Sequence, residues 1–507
     1  MKLTLKEILE ATNATVLKSE NVDVNDMFSF STDTRTIKKG EIYLPLKGAN
    51  FDGEKFIDKA VEIGAIGYFC GKGKSEKEKV KSGESCDNTF HLSPFTLHSS
   101  LILQVEDTLT AYLQLARFYK RKINPKTVAI TGSSGKTTTK EMAFCVASEK
   151  FKTHKSELNF NNEIGLCKTI LAMPEDTQVL ILEMGMRGLG EIELLSKYSE
   201  PDITIIANVG TAHIGRLGSR ENIAKAKCEI VKYQKDGGIL IAHDDNLIKQ
   251  IIATDSPSPQ PFPLENRYSI DSLGRVPRGE GASHIASHPS LLTLHSTYFS
   301  LNDTKIIERK VGYSKFIYKD NEYELNIEGD YNVQNSLAVI EMGLALGMSA
   351  DEIKSGLKKY LPIEKRWELE EIKGFKVIND SYNANPESMK AAMETFLELY
   401  VPPLLLVIGD MGELGEREVE YHRQIGAFLS EKLKNINNVK VITVGKLAGE
   451  IASVLHDKGI LAQSFDTNLQ TSCYILDNIE IGTTIILKAS RSMKFEAILS
   501  ELKGDKK

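Results

Sequence analysis

What this 507-residue chain lacks narrows its function before any motif is read. No run of about 18 apolar residues occurs, so a helical membrane span is not expected. The first residues, MKLTLKEILEATNATV, lack an uninterrupted apolar core and a small-residue cleavage site, so a secretory signal is not expected either. There is no basic excess. Lys and Arg number 63 against 69 Asp and Glu, a formal net charge of -6, which argues against nucleic acid as the main partner. The six cysteines (Cys70, Cys86, Cys145, Cys167, Cys228, Cys473) include no C-x-x-C pair. They read as reduced thiols of a cytoplasmic protein, not as a disulfide frame or a zinc site. No short-period repeat is present.

What is there is an ordinary soluble composition, 41% hydrophobic and 26% charged, in a chain long enough for several domains. Residues 1–105 read as a small α/β unit, with FIDKAVEIGAIGYFC as a helix followed by a buried strand. GKGKSEKEKVKSGESCDNTF is a charged, Gly/Ser-rich loop. A second unit, 106–328, opens with DTLTAYLQLARFYKRK, a helix capped by Asp107 or Thr108. TVAI, QVLILEMG, DITIIANVG and GGILIAH then read as strands separated by helices, the pattern of a mainly parallel, doubly wound sheet. Residues 255–305 are rich in Pro, Ser and His, look irregular, and read as a decorated surface region or a strand-rich excursion. A third unit, 329–507, carries further strands (KVIND, LLLVIGD, KVITVG, TTIILKAS) alternating with helices, a Rossmann-like α/β arrangement.

The segment TGSSGKTTTKE, 131–141, resembles a shortened phosphate loop. The usual pattern has four residues between its glycines, whereas only Ser133 and Ser134 separate Gly132 from Gly135. Strand, glycine turn, lysine, hydroxyls and helix still arrive in the right order. Backbone N–H groups from Gly132 to Lys136 are expected to point at phosphate oxygens, with the helix N-terminus helping. Lys136 supplies a charge, Thr137 a hydroxyl for magnesium, and Thr138 extends the contact. Ligands of such sheets sit beyond the carboxyl ends of the strands, where Glu183 and His213 also lie.

The short form T-G-x-x-G-K-T is similar to the loop of the Mur ligase family, and other segments carry the same resemblance. LNFNNEIGL, with Asn161 and Asn162, resembles the family segment that faces substrate and nucleotide. LEMGMRGLGEI places Glu183 at the family's metal-binding glutamate, and NVGTAHIGRLGSRENIAKAKCEI places His213 and Lys227 in its A-H-x-x-x-x-G-S…K pattern. In the family that lysine carries a carbamate; Lys225 is the competing candidate, and spacing favours Lys227. GDYNVQNSLAV resembles the adenine-contacting segment through Asn332 and Asn335, with Tyr331 at the usual histidine position. KRWELE supplies Arg366 where the family sets an arginine against the γ-phosphate. NDSYNANPESMKAAM, with Asp380, Asn383 and Asn385, resembles one branch only, the ligases that join D-alanyl-D-alanine to a UDP-N-acetylmuramoyl-tripeptide. VIGDMGELGE and LKASRSMKFE agree, although Ala489 stands where Gly is usual. In the first unit, STDTRTIKKGEIYLPLKGANFDGEKF resembles the uridine-nucleotide domain, with Ser31, Asp33, Arg35, Gly48, Asp52 and Gly53 in register.

The resemblance implies an ATP-dependent amide ligase of peptidoglycan synthesis, working through an acyl phosphate. Lys136 and Arg366 would neutralise the transferring phosphoryl. Thr137 and Glu183 would hold one Mg2+ ion, and His213 with carbamylated Lys227 a second. The implied substrates are UDP-MurNAc-tripeptide and D-Ala-D-Ala, and the expected state is a monomer. The alternatives are a sibling ligase that adds a single amino acid, or a nucleotide-binding regulator that has lost ligation. Because the nucleotide contacts are divided between the second and third units, the sequence predicts closure about a hinge at Glu328–Asp330, with Lys136 and Arg366 apart in the free protein.

Overall fold

In a computed structural model, residues 1–48, 51–72, 99–254, 295–362 and 365–504 are described. Nearly all of the charged 71–90 loop, Cys86 and residues 255–294 of the surface excursion lie outside them. The first unit carries a five-stranded sheet. Its strands are β1 (Thr15–Ser19), β2 (Phe30–Ser31), β3 (Ile42–Tyr43), β4 (Gly67–Gly71) and β5 (Leu101–Val105), in the order β1-β5-β4-β3-β2. Only β1 and β5 run antiparallel. Helix α1 (Leu5–Thr12) is closed by a capping box from Thr4 and Glu7.

Helix α2 (Thr108–Ile123) leads into the central unit. Its cap is Asp107, which accepts from Thr110 N, and Lys120, Arg121 and Lys122 sit in the last turn, where cations offset the exposed carbonyls. The central sheet holds six parallel strands: β6 (Lys126–Thr131), β7 (Thr153–Lys155), β8 (Val179–Glu183), β9 (Ile203–Ile206), β10 (Ile239–His243) and β11 (His295–Phe299). Their order is β7-β8-β6-β9-β10-β11. β8 and β9 are buried at every position, which explains their unbroken apolar runs. Between the strands run α3 (Lys136–Ala147), α4 (Glu163–Ala172), α5 (Glu191–Ser199) and α6 (Arg220–Cys228). The described end of the surface excursion is therefore regular, since β11 completes this sheet.

A three-stranded antiparallel sheet, 304–325, precedes α7 (Asp330–Ala345) and α8 (Ala350–Lys359). Both helices pack on α3, the helix that follows the phosphate loop. Leu337, Ile340, Ile353 and Leu357 share one buried cluster there with Met142 and Val146. The third unit as read from sequence thus begins with two helices that pack on the central one. Gly356 marks a close approach, because a Cβ there would run into the Val146 backbone of α3.

The C-terminal sheet comprises β12 (Glu368–Ile372), β13 (Phe375–Asn379), β14 (Leu404–Gly409), β15 (Val439–Val444), β16 (Ala462–Phe465) and β17 (Thr484–Lys488). Its order is β12-β13-β17-β14-β15-β16, with only β12–β13 antiparallel. Helices α9 (Pro386–Leu399) and α10 (Glu418–Leu433) follow β13 and β14. No helix among the described residues is long and apolar enough to cross a membrane.

Candidate functional site

Sheet register brings the site together. In the β6–β8 ladder Ile130 faces Glu183, and in the β6–β9 ladder Thr131 faces Ile206. The phosphate loop therefore leaves its strand with Glu183 on one side and Asn208 on the other. Gly135 takes φ +75°, and no side chain caps α3, so the helix N-terminus faces the cleft with free N–H groups. A side chain at Gly135 would collide with Asn335 of α7.

The loop departs from expectation in one respect. Ser133 N and Ser134 N donate to Asn208 Oδ1 at 3.1 and 3.0 Å, and Asn208 Nδ2 donates to Ser134 O at 3.0 Å. Asn208 braces the turn and takes up two N–H groups expected to meet phosphate. The groups at the start of α3 are left for that role. Lys136 Nζ folds back to donate to Gly132 O at 2.8 Å. Burial pushes the Lys136 ammonium down, an effect that the Glu183 carboxylate opposes.

The loop lines one wall of a cleft of about 970 Å³, together with Asn161, Asn162, Glu183 and His213. The facing wall carries Asn332, Asn335, Arg366, Asp380, Asn383 and Asn385. Arg366 Nη2 donates to Thr137 Oγ1 at 2.9 Å, and its guanidinium stacks 3.9 Å from the centre of the Tyr382 ring. In this structure the two walls meet, and Lys136 and Arg366 line the same cleft. Three more contacts close them. Thr211 N and Oγ1 donate to Glu387 at 3.1 and 2.8 Å, Gly215 N donates to Glu413 O at 3.1 Å, and His213 Nδ1 lies 2.5 Å from Glu413 Oε2. That last approach is an ion-pair distance without hydrogen-bond geometry. Its main effect is to hold the Glu413 carboxyl below the usual range.

Several candidates have local partners. Asn161 Nδ2 donates to Glu183 Oε1 at 3.0 Å, while Asn162 caps α4 by accepting from Gly165 N. Asn332 spends its amide on Glu328 O at 2.7 Å. Asp380 Oδ2 meets Lys488 Nζ at 2.7 Å, and the same ammonium bonds Asn383 O at 3.0 Å, which ties the NDSYNAN segment to β17. Asn385 caps α9 through Ser388 N. Gly132 and Lys227 are buried outside the cleft lining.

Between the two candidate lysines the structure discriminates. Lys225 is exposed, whereas Lys227 is 1% exposed and has no hydrogen-bond or carboxylate partner among the described residues. Burial, with Lys136 adding to it, drives the Lys227 ammonium well below its ordinary value, a shift that favours the neutral amine. For metal, Glu183 Oε2 is buried without a hydrogen-bond partner, an oxygen suited to Mg2+ beside the Thr137 hydroxyl. Among the described residues no three His, Cys, Asp or Glu side chains form a metal cluster, so phosphate oxygens would have to complete such a site.

The six first-unit candidates lie outside this cleft. Ser31 Oγ accepts from Asp33 N at 3.2 Å, and the Arg35 guanidinium holds the Asp33 carboxyl down at about 2. Asp52 caps the turn that begins at Gly53 by accepting from Glu54 N. A Cβ at Gly53 would lie 2.7 Å from Leu46 O, and Gly48 is exposed.

Sequence reasoning missed Asn208, Glu413, Lys488 and Lys140. Asn208 and Lys488 each follow or end an apolar strand, a position that could have flagged them. Glu413 and Lys140 act only through tertiary placement.

Comparison with known proteins agrees with this geometry. The family pattern described as Mur ligase middle domain matches residues 130–269, and that described as Mur ligase, glutamate ligase domain matches 365–491. A UDP-N-acetylmuramoyl-tripeptide--D-alanyl-D-alanine ligase of Bacillus subtilis is 32% identical over 99% of this chain and 98% of its own. The ligase of the same description from Escherichia coli is 27% identical over 99% and 98%. Among solved structures, MurF from Acinetobacter baumannii superposes with a TM-score of 0.79 at 24% identity, covering 100% of this chain and 99% of its own. MurF from Thermotoga maritima in complex with ADP gives 0.73 at 24%, covering 94% and 97%.

Proposed function

Because this chain belongs to the Mur ligase family, we propose that it joins D-alanyl-D-alanine to UDP-N-acetylmuramoyl-tripeptide at the expense of ATP, an amide ligation of peptidoglycan synthesis. The observation that carries this reading is the Arg366–Thr137 contact, which sets a C-terminal cation on the phosphate loop inside a cleft large enough for a nucleotide and a peptide end.

A carboxylate is a poor electrophile, so amide formation in water requires activation. The γ-phosphoryl of ATP passes to the terminal carboxylate of the tripeptide. The amine of D-Ala-D-Ala attacks the acyl phosphate, and phosphate leaves. The protein's part is positioning and charge stabilisation. The start of α3 and Lys136 would cradle the phosphates, with Arg366 against the transferring group. Asn335 and Asn332 would flank the adenine, and Asp380 the nucleotide. Asn161, Asn162, Asn383 and Asn385 would face the peptide ends.

Thr137 and Glu183 would hold Mg2+, which neutralises phosphate charge when bound. His213 with a carbamate on Lys227 would supply the donors for a second ion. Ser31, Asp33, Arg35, Gly48, Asp52 and Gly53 would receive the uridine nucleotide in the unit 1–105. Units 106–328 and 329–507 would carry the ATP and ligation functions. We place the enzyme in the cytoplasm, as a monomer.

Phosphate release from ATP tests the reading. It should require both UDP-tripeptide and D-Ala-D-Ala. Release driven by a single amino acid would assign a sibling ligase, and nucleotide binding without release would assign a regulator.

A further inference from the structure

Lys140 lies one helical turn beyond Lys136 on α3 and is 0% exposed. An ammonium removed from water is costly unless it finds acceptors and countercharge. Lys140 finds three. Its Nζ donates to Leu158 O at 3.0 Å, lies 3.3 Å from Glu141 Oε1, and lies 3.6 Å from Glu183 Oε2. Glu141 also pairs with Lys155, so its charge is shared. Glu183 has no second cation within ion-pair distance among the described residues.

The geometry is selective. At 3.6 Å Lys140 balances the Glu183 charge without engaging Oε2 in a hydrogen bond, and that oxygen is left buried without a donor. The other carboxylate oxygen is fixed by Asn161 Nδ2 at 3.0 Å. The segment that carries Asn161 is fixed in turn by the same lysine. Leu158 sits at φ +45°, a left-handed conformation disfavoured for a branched side chain, and is 77% exposed, so its side chain cannot hold it there. The Lys140 bond to Leu158 O anchors that residue, while Gly185 N donates to Asn161 O at 2.8 Å further along the loop. One ammonium thus contributes both to the charge beside Glu183 and to the loop that orients it.

We infer that Lys140 is a positioning residue for the divalent-cation site: it clamps the Leu158–Asn162 loop and balances Glu183 so that Oε2 stays aimed at the metal. This rests on the reading of Glu183 as a metal ligand. It assigns Lys140 no contact with nucleotide or peptide.

Mn2+ binding to the ADP-loaded protein, followed by electron paramagnetic resonance, tests it. Lys140→Met should weaken Mn2+ about 10- to 100-fold, the usual cost of losing a partner that orients a metal ligand. In the same variant the Mg2+ concentration for half-maximal turnover should rise more than kcat falls. In a Glu183→Gln background, Lys140→Met should cost less than about twofold further, because its effect runs through a carboxylate already gone. Losses that multiply in the double variant would overturn the inference, as would wild-type Mn2+ affinity in Lys140→Met. Should Lys140→Met fail to fold, Lys140→Gln carries the test. It can still donate to Leu158 O but has no charge, and wild-type Mn2+ affinity there also overturns the inference. Intact Mn2+ binding in Glu183→Gln alone would instead sink the assignment of Glu183.

Discussion

Arg366 reaches across the cleft to Thr137, 229 positions earlier in the chain, and bonds its hydroxyl at 2.9 Å while stacking on Tyr382. The stacking fixes the plane of the guanidinium, so its direction is set before any phosphate arrives. A lysine keeps the charge but has no planar face to stack and no second nitrogen for Thr137. Arg366→Lys should therefore lower kcat by about 10²- to 10³-fold, the range for removing one preorganised donor, with ADP binding changed much less. Steady-state phosphate release checks this, and near-normal turnover would show that Arg366 does not meet the transferring group.

Lys227 and Lys225 should behave oppositely. Lys227 is buried and lacks an acceptor among the described residues, while Lys225 is exposed. Lys227→Ala should be nearly inactive and partly restored by acetate or formate, which can replace a missing carbamate. Lys225→Ala should retain full turnover. The reverse pattern would move the assignment.

The parts of the site that were legible are short linear patterns at strand ends: the phosphate loop, Glu183 after β8, and Asp380 after β13. Register then explains their company, since Glu183 pairs with Ile130 just before the loop. Lys140 was not legible. It stands in a run of lysine and threonine in which only the three-dimensional path shows which ammonium turns inward. Helices α7 and α8 belong to the third unit as read from sequence, and their apolar faces pack on α3. A motif locates chemistry, whereas packing is settled by the face behind it. In the first unit the matched residues are satisfied locally as turns and caps, so linear register carries no information about their distance from the cleft.

Lys120 should make stability depend on alkaline pH. It is 1% exposed, donates to Glu200 O at 3.0 Å, and burial lowers its ammonium to about 8 despite the Glu200 carboxylate. The unfolded chain holds this proton up to the ordinary value of 10.5, so between those values it binds more protons than the folded state. Stability contributed by this group therefore rises with pH across that window, and its penalty is full below it. Lys120→Met should lose that rise, read as urea midpoints on both sides of the window against wild type. A parallel pH dependence in the variant would rule Lys120 out as its source.

Gly215 and Gly415 meet where the two walls close. A Cβ on Gly215 would lie 2.7 Å from Gly415 Cα, and Gly415 itself sits at φ +65°. The obstacle is backbone, which cannot swing aside as a side chain does. Gly215→Ala should therefore push the central and C-terminal walls apart at the Gly215 N–Glu413 O bond and at His213–Glu413. A displacement of about 1 Å at a composite site can cost about 10²-fold in rate. The folded units themselves should be unaffected, because the new methyl lies between them. The expected signature is reduced turnover and a larger radius by small-angle scattering with ATP analogue and tripeptide than wild type shows under the same conditions. Wild-type turnover and radius in Gly215→Ala would mean that this contact is not needed for the assembled state.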